Sequence, residues 1–299
     1  MPVSTVFLTG GSGYIGRRTI AALRDHGIGV TALVRSDRSA ETVSRLGAEP
    51  VRGGLADTDV LREAASRADG VIHLGAEATA DAATVDRGAA DALQDGVGAG
   101  PYVHTGGVWV YGNTGVVVDE DAPRNPPAIT AWRLANEERV LARAATGGHP
   151  VVVMPGVVYG GGGGLIEAFL AGPARESGAV PLIGDGSNHW TVVHVEDIAE
   201  LFVLALDAPA GSVFAGVTEE HPTLAGIAGA VGRAAGCPGR TERLTLAQAV
   251  DRMGPVAEAF ALDQRLTGAR ARSVLGWEPR HTDALGELAE PGRSGPSVD

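Results

Sequence analysis

The fold of this chain is decided by one short stretch near its beginning, Thr9-Gly10-Gly11-Ser12-Gly13-Tyr14-Ile15-Gly16. Glycines recur at positions 10, 13 and 16, between an apolar strand-like run and a segment with helical periodicity. A turn of this kind lets the backbone approach a pyrophosphate and directs the amides and dipole of a helix N-terminus at its charge. Because a strand precedes the glycines and a helix follows them, the motif is specific and predicts a dinucleotide site.

The segments around this turn alternate between short apolar runs and longer amphipathic ones. This alternation predicts βαβ units around a parallel sheet, and strands with few polar residues indicate burial on both faces. We therefore expect an α/β fold, a Rossmann-like doubly wound parallel sheet with a small C-terminal substrate lobe. The predicted strands are 3–9, 29–34, 50–52, 70–74, 102–105 and 151–154, and the predicted helices are 15–26, 40–46, 58–66, 82–94 and 132–145.

Beyond the sheet the order of elements becomes irregular, and this irregularity predicts a second lobe. Five consecutive glycines at 160–164 predict a hinge or loop, followed by a helix over 165–171. We expect residues 1–160, with 191–216 returning to them, to form the dinucleotide-binding domain. Residues 161–190 and 217–286 are expected to form the substrate lobe, and 287–299 a flexible tail.

Composition and charge exclude several classes of partner. The formal net charge of −12, from 24 basic and 36 acidic residues, disfavours nucleic acid and anionic lipid, so we expect a small-molecule substrate. No apolar run reaches the roughly 18 residues that a membrane span needs, and no secretory signal is recognisable, so we expect a cytoplasmic protein. The single cysteine, Cys237, excludes an internal disulfide and a multi-thiolate site, and we expect no metal.

The residue that follows the second predicted strand bears on the choice of cofactor. A dinucleotide fold reads the adenosine ribose at this point, where an acidic side chain accepts from the 2′-hydroxyl of NAD and an arginine favours the 2′-phosphate of NADP. The chain has Arg35 there, and Arg38 can share or replace its role. The sequence therefore predicts a preference for NADP(H) over NAD(H).

Several further segments, together with the glycine turn, resemble one protein family. The chain resembles the short-chain dehydrogenase/reductase superfamily, in the extended or atypical branch related to NAD-dependent epimerase/dehydratase proteins. The similarity covers nearly the whole chain. It rests on VIHLGA at 71–76, VWVYG at 108–112, MPGVVYG at 154–160, GDGSNHW at 184–190, VHVEDIA at 193–199 and LGWEP at 275–279.

The resemblance implies an enzyme that uses a nicotinamide dinucleotide, and a homodimer formed through the helices at 82–94 and 132–145. It also implies which positions surround the cofactor. The expected cofactor-binding residues are Gly10, Gly13, Tyr14, Ile15, Gly16, Arg35, Leu55, Leu74, Gly75, Ala76, Thr105, Arg133, Pro155 and Val157.

The active site departs from the family pattern of a Ser or Thr, a Tyr and a Lys, in which the tyrosine is the general acid/base. Counting back from Gly112 places Gly107 at the position of the hydroxyl residue. Aligning the helix at 132–145 places Ile129 at the tyrosine position and Arg133 at the lysine position. A shift of one residue puts Thr130 and Leu134 there and restores neither group. All 24 basic residues are arginine, so no lysine is present at all.

Other side chains are therefore candidates for the chemistry. Thr105 lies two residues before Gly107, can point to the same face and can supply a hydroxyl, while Arg133 keeps a cation that cannot relay protons. Tyr111 and Tyr159 are the preferred proton donors because both follow strand ends, where open α/β sheets bind ligands. His104 and Tyr102 are the other candidate acids, and His73 is expected to be structural.

These observations predict an NADP(H)-dependent oxidoreductase, ketoreductase- or epimerase-like, that acts on a small carbonyl or hydroxyl metabolite. An activated carbonyl, quinone or iminium substrate needs little acid from the protein. No basic cluster is evident for a second pyrophosphate, so a less charged metabolite fits at least as well as a sugar nucleotide. Two alternatives stay open at this point: a non-redox enzyme on the same fold, and an NADP(H)-binding sensor or scaffold without turnover.

Overall fold

The structure is a computed structural model that describes residues 2–77 and 79–290. Its strands are β1 (Thr5–Thr9), β2 (Gly29–Val34), β3 (Glu49–Arg52), β4 (Gly70–His73), β5 (Pro101–Thr105), β6 (Val117–Val118), β7 (His149–Pro155), β8 (Val157–Tyr159), β9 (Val180–Ile183), β10 (Val192–His194), β11 (Val213–Gly216), β12 (Thr241–Leu244) and β13 (Arg265–Leu266).

Helices connect most of these strands. They are α1 (Tyr14–Asp25), α2 (Asp37–Arg45), α3 (Thr58–Ser66), α4 (Ala82–Val97), α5 (Trp132–Ala142), α6 (Gly164–Ile166), α7 (Gly172–Ser177), α8 (Val195–Leu204), α9 (Leu224–Ala234), α10 (Leu246–Met253), α11 (Val256–Phe260), α12 (Ala269–Leu275) and α13 (Ala284–Ala289). A π-helical turn, Glu167–Ala171, joins α6 to α7.

The described residues contain one seven-stranded sheet, in the order β11-β7-β5-β4-β1-β2-β3. Every pairing in it is parallel. The chain runs outward from β1 through β2 and β3, then returns to the other side of β1 with β4. The carboxyl ends of β1 and β4 therefore diverge into helices on opposite faces and leave a crevice for a ligand. This topology confirms the predicted Rossmann-like doubly wound sheet.

Alternating side chains of the strands explain why helices cover both faces. In β1, Val6 and Leu8 belong to one apolar core and Phe7 to the other, and all three are fully buried. Because side chains alternate along a strand, both faces of β1 need cover. Helices α1 and α8 pack together in the first core, and α3, α4 and α5 pack together in the second.

A third apolar core lies outside the large sheet, in the region for which the sequence predicts a substrate lobe. It unites Tyr159, Leu170, Trp190, Ile227 and Phe260, among other residues. The pair of β9 with β12 belongs to this part of the molecule, and the pair of β8 with β10 lies between the first core and the third, because Val158 and Val193 belong to the first and Val157 and Val192 to the third.

The predicted tail needs correction at its beginning. Helix α13 runs to Ala289 and packs against α9, so the proposed boundary at 287 falls inside a helix that buries apolar side chains in the third core. Residues 291–299 of that tail lie outside the described residues. Among the described helices, none combines the length and the apolar character that crossing a membrane would need.

Candidate functional site

The glycine turn that follows β1 tolerates only glycine at two of its positions. Gly10 has φ +72°, and a Cβ there would lie 2.8 Å from the backbone nitrogen of Gly75. A Cβ on Gly16 would lie 2.1 Å from the carbonyl oxygen of Gly10. The amide of Gly13 donates to the same carbonyl at 2.9 Å and closes the turn. The turn is therefore packed against its own helix and against the loop after β4.

Helix α1 presents an N-terminus suited to an anion. Gly13 is its N-cap and contributes no side-chain hydrogen bond, and the first turn carries no acidic residue. The free amides and the helix dipole attract negative charge at this end. Tyr14 and Ile15 begin the helix, and the Tyr14 hydroxyl donates to the carbonyl of Gly160 at 2.6 Å. A tight glycine turn that leads into a helix whose first turn carries no acidic residue fits the diphosphate of a dinucleotide.

The loop that follows β4 forms one wall beside this turn. Leu74 and Gly75 are the backbone neighbours of Gly10, and the amide of Gly75 donates to the Thr9 hydroxyl at 3.0 Å. The buried Leu55 side chain lies against Gly75, because a Cβ on that glycine would be 3.0 Å from the Leu55 Cδ2 atom. The structure thus brings these predicted cofactor-binding residues together, and Ala76 follows them at the surface.

Arg35 follows β2 and lies at the rim of the crevice. Its guanidinium is 72% exposed, and its Nη1 atom lies 3.5 Å from Oε1 of Glu77, which is 21% exposed. An exposed pair at this distance contributes little to stability, so the guanidinium can turn to another anion at small cost. Glu77 follows Ala76 directly, which places a competing carboxylate beside the residue expected to read the ribose.

Thr105 and Arg133 meet at the carboxyl ends of β4 and β5. The Thr105 hydroxyl donates to the carbonyl of His73 at 2.7 Å, and Arg133 Nη1 donates to the carbonyl of Thr105 at 3.1 Å. The Arg133 guanidinium also lies over the ring of Trp132, 4.6 Å from its centroid. A Cβ on Gly107 would meet no atom within 4 Å, so the space beside this glycine, which the resemblance aligned with the hydroxyl residue, is open.

Glu137 is a buried carboxyl group that the sequence interpretation did not single out. It is fully buried, its Oε1 atom has no hydrogen-bond partner, and a Cβ on Gly106 would lie 2.8 Å from that atom. Arg124 Nη1 lies 3.1 Å from its Oε2 atom. Burial raises the pKa of Glu137 to about 7, although the charges of Arg124 and Arg133 oppose the shift. Its position four residues after Arg133, on the same helix face, was the available signal.

The raised pKa of Glu137 predicts how stability depends on pH. The Glu137 carboxyl group ionises near pH 4.5 in the unfolded chain and near pH 7 in the folded protein. The free energy of unfolding should therefore fall as pH rises between these values. The fall attributable to this group is on the order of 3 kcal/mol. Urea midpoints measured from pH 4.5 to 8 should show this slope in the wild type and a shallower one in Glu137→Gln. Equal slopes in the two proteins would contradict the assignment.

The two preferred tyrosines are buried with their hydroxyls engaged. Tyr111 is 2% exposed and donates to the carbonyl of Glu120 at 3.0 Å, and Tyr159 is fully buried and donates to the carbonyl of His281 at 3.2 Å. Burial raises the pKa of Tyr111 to about 12 and also raises the pKa of Tyr159. No described hydrogen bond joins either hydroxyl to Thr105 or Arg133, so their role as acids stays a prediction.

The remaining candidates lie deeper in the sheet. The Tyr102 hydroxyl and the Nδ1 atom of His104 are 2.9 Å apart, and both residues are 1% exposed. Pro155 ends β7, the strand that pairs with the one carrying Thr105, and Val157 begins β8, which pairs with β10; both residues are buried. The site that the structure assembles therefore consists of the glycine turn, the loop after β4 and the pair formed by Thr105 and Arg133.

Comparison with known proteins agrees with this geometry. The profile of the NAD dependent epimerase/dehydratase family matches residues 6–215. A relative in Schizosaccharomyces pombe of uncharacterised function is 29% identical over 292 residues, which cover 95% of this chain and 98% of the relative. The 4-hydroxy-2-methyl-3-oxo-4-farnesyl-3,4-dihydroquinoline-1-oxide ketoreductase of Stigmatella aurantiaca is 32% identical over 226 residues, which cover 70% of this chain and 66% of the relative.

Solved structures support the same fold. The UDP-glucose 4-epimerase of Thermus thermophilus, solved in complex with NAD, superimposes with a TM-score of 0.79 at 22% sequence identity. The superposition covers 95% of this chain and 96% of the epimerase. With the family profile matching well over half of the residues, the chain belongs to the NAD dependent epimerase/dehydratase family and is an oxidoreductase-type enzyme of the short-chain dehydrogenase/reductase superfamily.

Proposed function

We propose that this enzyme is an NADP(H)-dependent reductase of a small, weakly charged carbonyl compound. The observation that carries the proposal is the pairing of Arg133 with Thr105 at the strand ends beside the glycine turn. When bound, the nicotinamide supplies the hydride. The name of the Stigmatella aurantiaca relative, a ketoreductase, favours the same class of reaction.

Arg133 supplies a fixed positive charge at this site. Its guanidinium is held from two sides, by the carbonyl of Thr105 and by the ring of Trp132. An arginine cannot give up its proton at neutral pH, so its contribution is electrostatic: it stabilises negative charge that develops on the substrate oxygen. The proton itself then comes from water or from a tyrosine, and an electron-poor carbonyl makes the smallest demand on that donor.

The arginines of the substrate lobe favour a substrate without a second diphosphate. Five of the nine arginines at 161–190 and 217–286 are already paired with carboxylates, which reduces the cationic charge available to another anionic group. The pairs are Arg175 with Glu167, Arg252 with Glu242, Arg265 with Asp263, Arg270 with Glu120 and Asp121, and Arg272 with Glu219. A neutral ketone-bearing metabolite fits this lobe better than a sugar nucleotide.

Arg35 should set the preference for NADPH. Replacing Arg35 by alanine removes the guanidinium that would pair with the 2′-phosphate, so we expect NADPH affinity to fall about 10-fold or more while NADH affinity changes little. Glu77→Gln is the matched variant: it removes the competing carboxylate and should tighten NADPH binding by about 2- to 5-fold. Titrations followed by tryptophan quenching measure both. Equal losses for the two nucleotides in Arg35→Ala would contradict the assignment.

The proposed activity is tested with NADPH that carries deuterium on its transferable hydrogen. Incubation with a panel of ketones, quinones and diketones should give a product that contains one deuterium, with loss of the absorbance of the reduced nicotinamide. Product formed without net oxidation of the nicotinamide would favour a non-redox enzyme. Tight NADPH binding with no product across the panel would favour a sensor. The homodimer and the cytoplasmic location stay predictions, and light scattering tests the first.

A further inference from the structure

A second cluster of reactive side chains lies inside the sheet domain, beneath the carboxyl ends of β4 and β5. His73 and His104 are register partners on these strands, so their side chains project from the same face of the sheet. Asp86, from α4, lies against them. The two histidines are 1% exposed and Asp86 is 7% exposed. The cluster belongs to the interior, and the proposed reductase site does not use it.

The spacing within this cluster is too long for hydrogen bonds and close to that of metal ligands. His73 Nε2 lies 3.6 Å from Asp86 Oδ1, and His104 Nε2 lies 3.9 Å from Asp86 Oδ2. Two ligands of a tetrahedral zinc ion, with bonds of about 2.0–2.1 Å, lie roughly 3.3 Å apart. The Nε2 atom of His73 is buried and has no hydrogen-bond partner. A ring nitrogen in that condition is costly unless something binds it.

Both imidazole rings are oriented from behind by hydroxyl groups. His73 Nδ1 lies 2.6 Å from the Thr9 Oγ1 atom, and His104 Nδ1 lies 2.9 Å from the Tyr102 hydroxyl. Each Nδ1 atom therefore has a partner, and each Nε2 atom is directed toward Asp86. Histidines that bind a metal through one nitrogen are held in this way through the other.

The carboxylate of Asp86 completes the set without a permanent cation. In the part of the chain that the structure describes, its ion-pair partners are the two histidines, and Asn136 Nδ2 donates to Oδ2 at 2.8 Å. No arginine of the described residues forms an ion pair with Asp86. A buried carboxylate needs a positive partner, and two imidazoles with one carboxylate are a ligand set that zinc and its neighbours prefer.

We propose that His73, Asp86 and His104 bind one divalent transition-metal ion of the zinc class. The ion would connect β4 and β5 to α4 directly below the loop that carries Gly75 and the strand end that carries Thr105. It would act as a structural brace for the cofactor crevice and would take no part in electron transfer. The single cysteine led to the expectation of no metal. The sequence did not reveal this ligand set because its three members lie on separate elements.

A second group of histidines provides the control. His194 and His281 stack with ring centroids 3.7 Å apart, and Glu196 lies 3.8 Å from His281 Nε2. Three of their four ring nitrogens already have hydrogen-bond partners: His194 Nε2 lies 3.1 Å from Glu287, His194 Nδ1 accepts from the amide of Glu196, and His281 Nδ1 lies 3.2 Å from Asp197. The fourth, His281 Nε2, belongs to a side chain that is 34% exposed to solvent. The proposal therefore predicts that metal binding depends on His104 and not on His281.

The test is a calorimetric titration of the whole protein, freed of metal by chelation, with Zn²⁺. We expect one ion per chain, a rise in melting temperature that a chelator reverses, and an affinity reduced at least about 100-fold in His104→Gln. His281→Gln should bind as the wild type does. Unchanged binding in His104→Gln, or binding lost only in His281→Gln, would overturn the proposal.

A measurement on the wild type covers the case in which His104→Gln does not fold. Titration with Co²⁺ should produce visible d–d absorption of tetrahedral intensity that saturates at one equivalent and disappears when Zn²⁺ is added. Asp86→Asn keeps the volume of the side chain and should weaken that binding by a similar factor. If neither Co²⁺ nor Zn²⁺ binds the wild type, the metal site does not exist.

Discussion

Gly16→Ala should reduce the affinity for NADPH and NADH at least about 100-fold, a loss of about 2.7 kcal/mol. The added Cβ would lie 2.1 Å from the carbonyl oxygen of Gly10 and 2.8 Å from the Cα of Gly11. These are backbone atoms of the turn itself, so relief requires the turn to move away from the first turn of α1. That movement separates the amides that would hold the diphosphate. Fluorescence titration with each nucleotide measures the loss.

A matched glycine elsewhere separates this effect from a general cost of alanine in a helix. Gly229 lies in α9, and a Cβ there would meet only the end of the Arg233 side chain, at 3.9 Å. Gly229→Ala should leave nucleotide affinity unchanged and hold or raise the melting temperature, because alanine favours the helix. If Gly16→Ala binds within 3-fold of the wild type and melts normally, the turn does not hold the diphosphate as proposed.

The sheet and the glycine turn could be predicted because their signals are local. A short apolar strand-like run, three glycines at fixed spacing and an amphipathic helix lie within the first 25 positions, and the structure has β1 and α1 within two residues of the predicted bounds. Helices with one apolar face were predicted equally well. Helix α3, for example, has the predicted bounds, Thr58–Ser66.

The short paired strands outside the seven-stranded sheet, such as β8 and β9, were not predicted. Strand β9 has four residues and pairs Val180 with Thr241, and β8 has three and pairs Val157 with Val192. A run of this length carries too little periodicity to identify a strand. Its stability comes from packing in the third core, which the sequence reveals only through residues that lie far apart along the chain.

Side-chain direction explains the uncertainty about the tyrosines. Tyr111 ends a short helical turn that follows β5, as expected, but Tyr159 is the last residue of β8 itself, which lies outside the seven-stranded sheet. Their hydroxyls, however, donate to Glu120 and His281, and the second partner is 122 residues away. Spacing along a strand fixes the face to which a residue belongs, but it does not identify the atom that its polar end meets. Nor does sequence spacing show that the Glu137 carboxyl group meets Gly106, the residue directly after β5.

Arg133→Met should lower kcat about 100- to 1,000-fold, the loss expected when one fixed donor to a developing oxyanion is removed. Methionine keeps much of the length and apolar volume of the side chain, so the ring of Trp132 retains a partner while the charge and the bond to Thr105 are lost. The fold should therefore survive, and nucleotide affinity should fall much less than kcat. Steady-state kinetics on a substrate found with deuterated NADPH measures both quantities.

Three comparison variants decide what a loss of activity in Arg133→Met means. Arg133→Lys restores the charge without the planar fork and should recover part of kcat. Tyr111→Phe and Tyr159→Phe each remove a hydroxyl that donates to a backbone carbonyl, so each should cost about 1 kcal/mol of stability. If water supplies the proton, each should leave kcat within about 3-fold of the wild type. A 100-fold loss in either phenylalanine variant, with Arg133→Met nearly unchanged, would assign the chemistry to that tyrosine. Arg133 cannot release its proton, so a loss of kcat in Arg133→Met alone indicates charge stabilisation, whereas a loss in a phenylalanine variant indicates acid catalysis by that tyrosine.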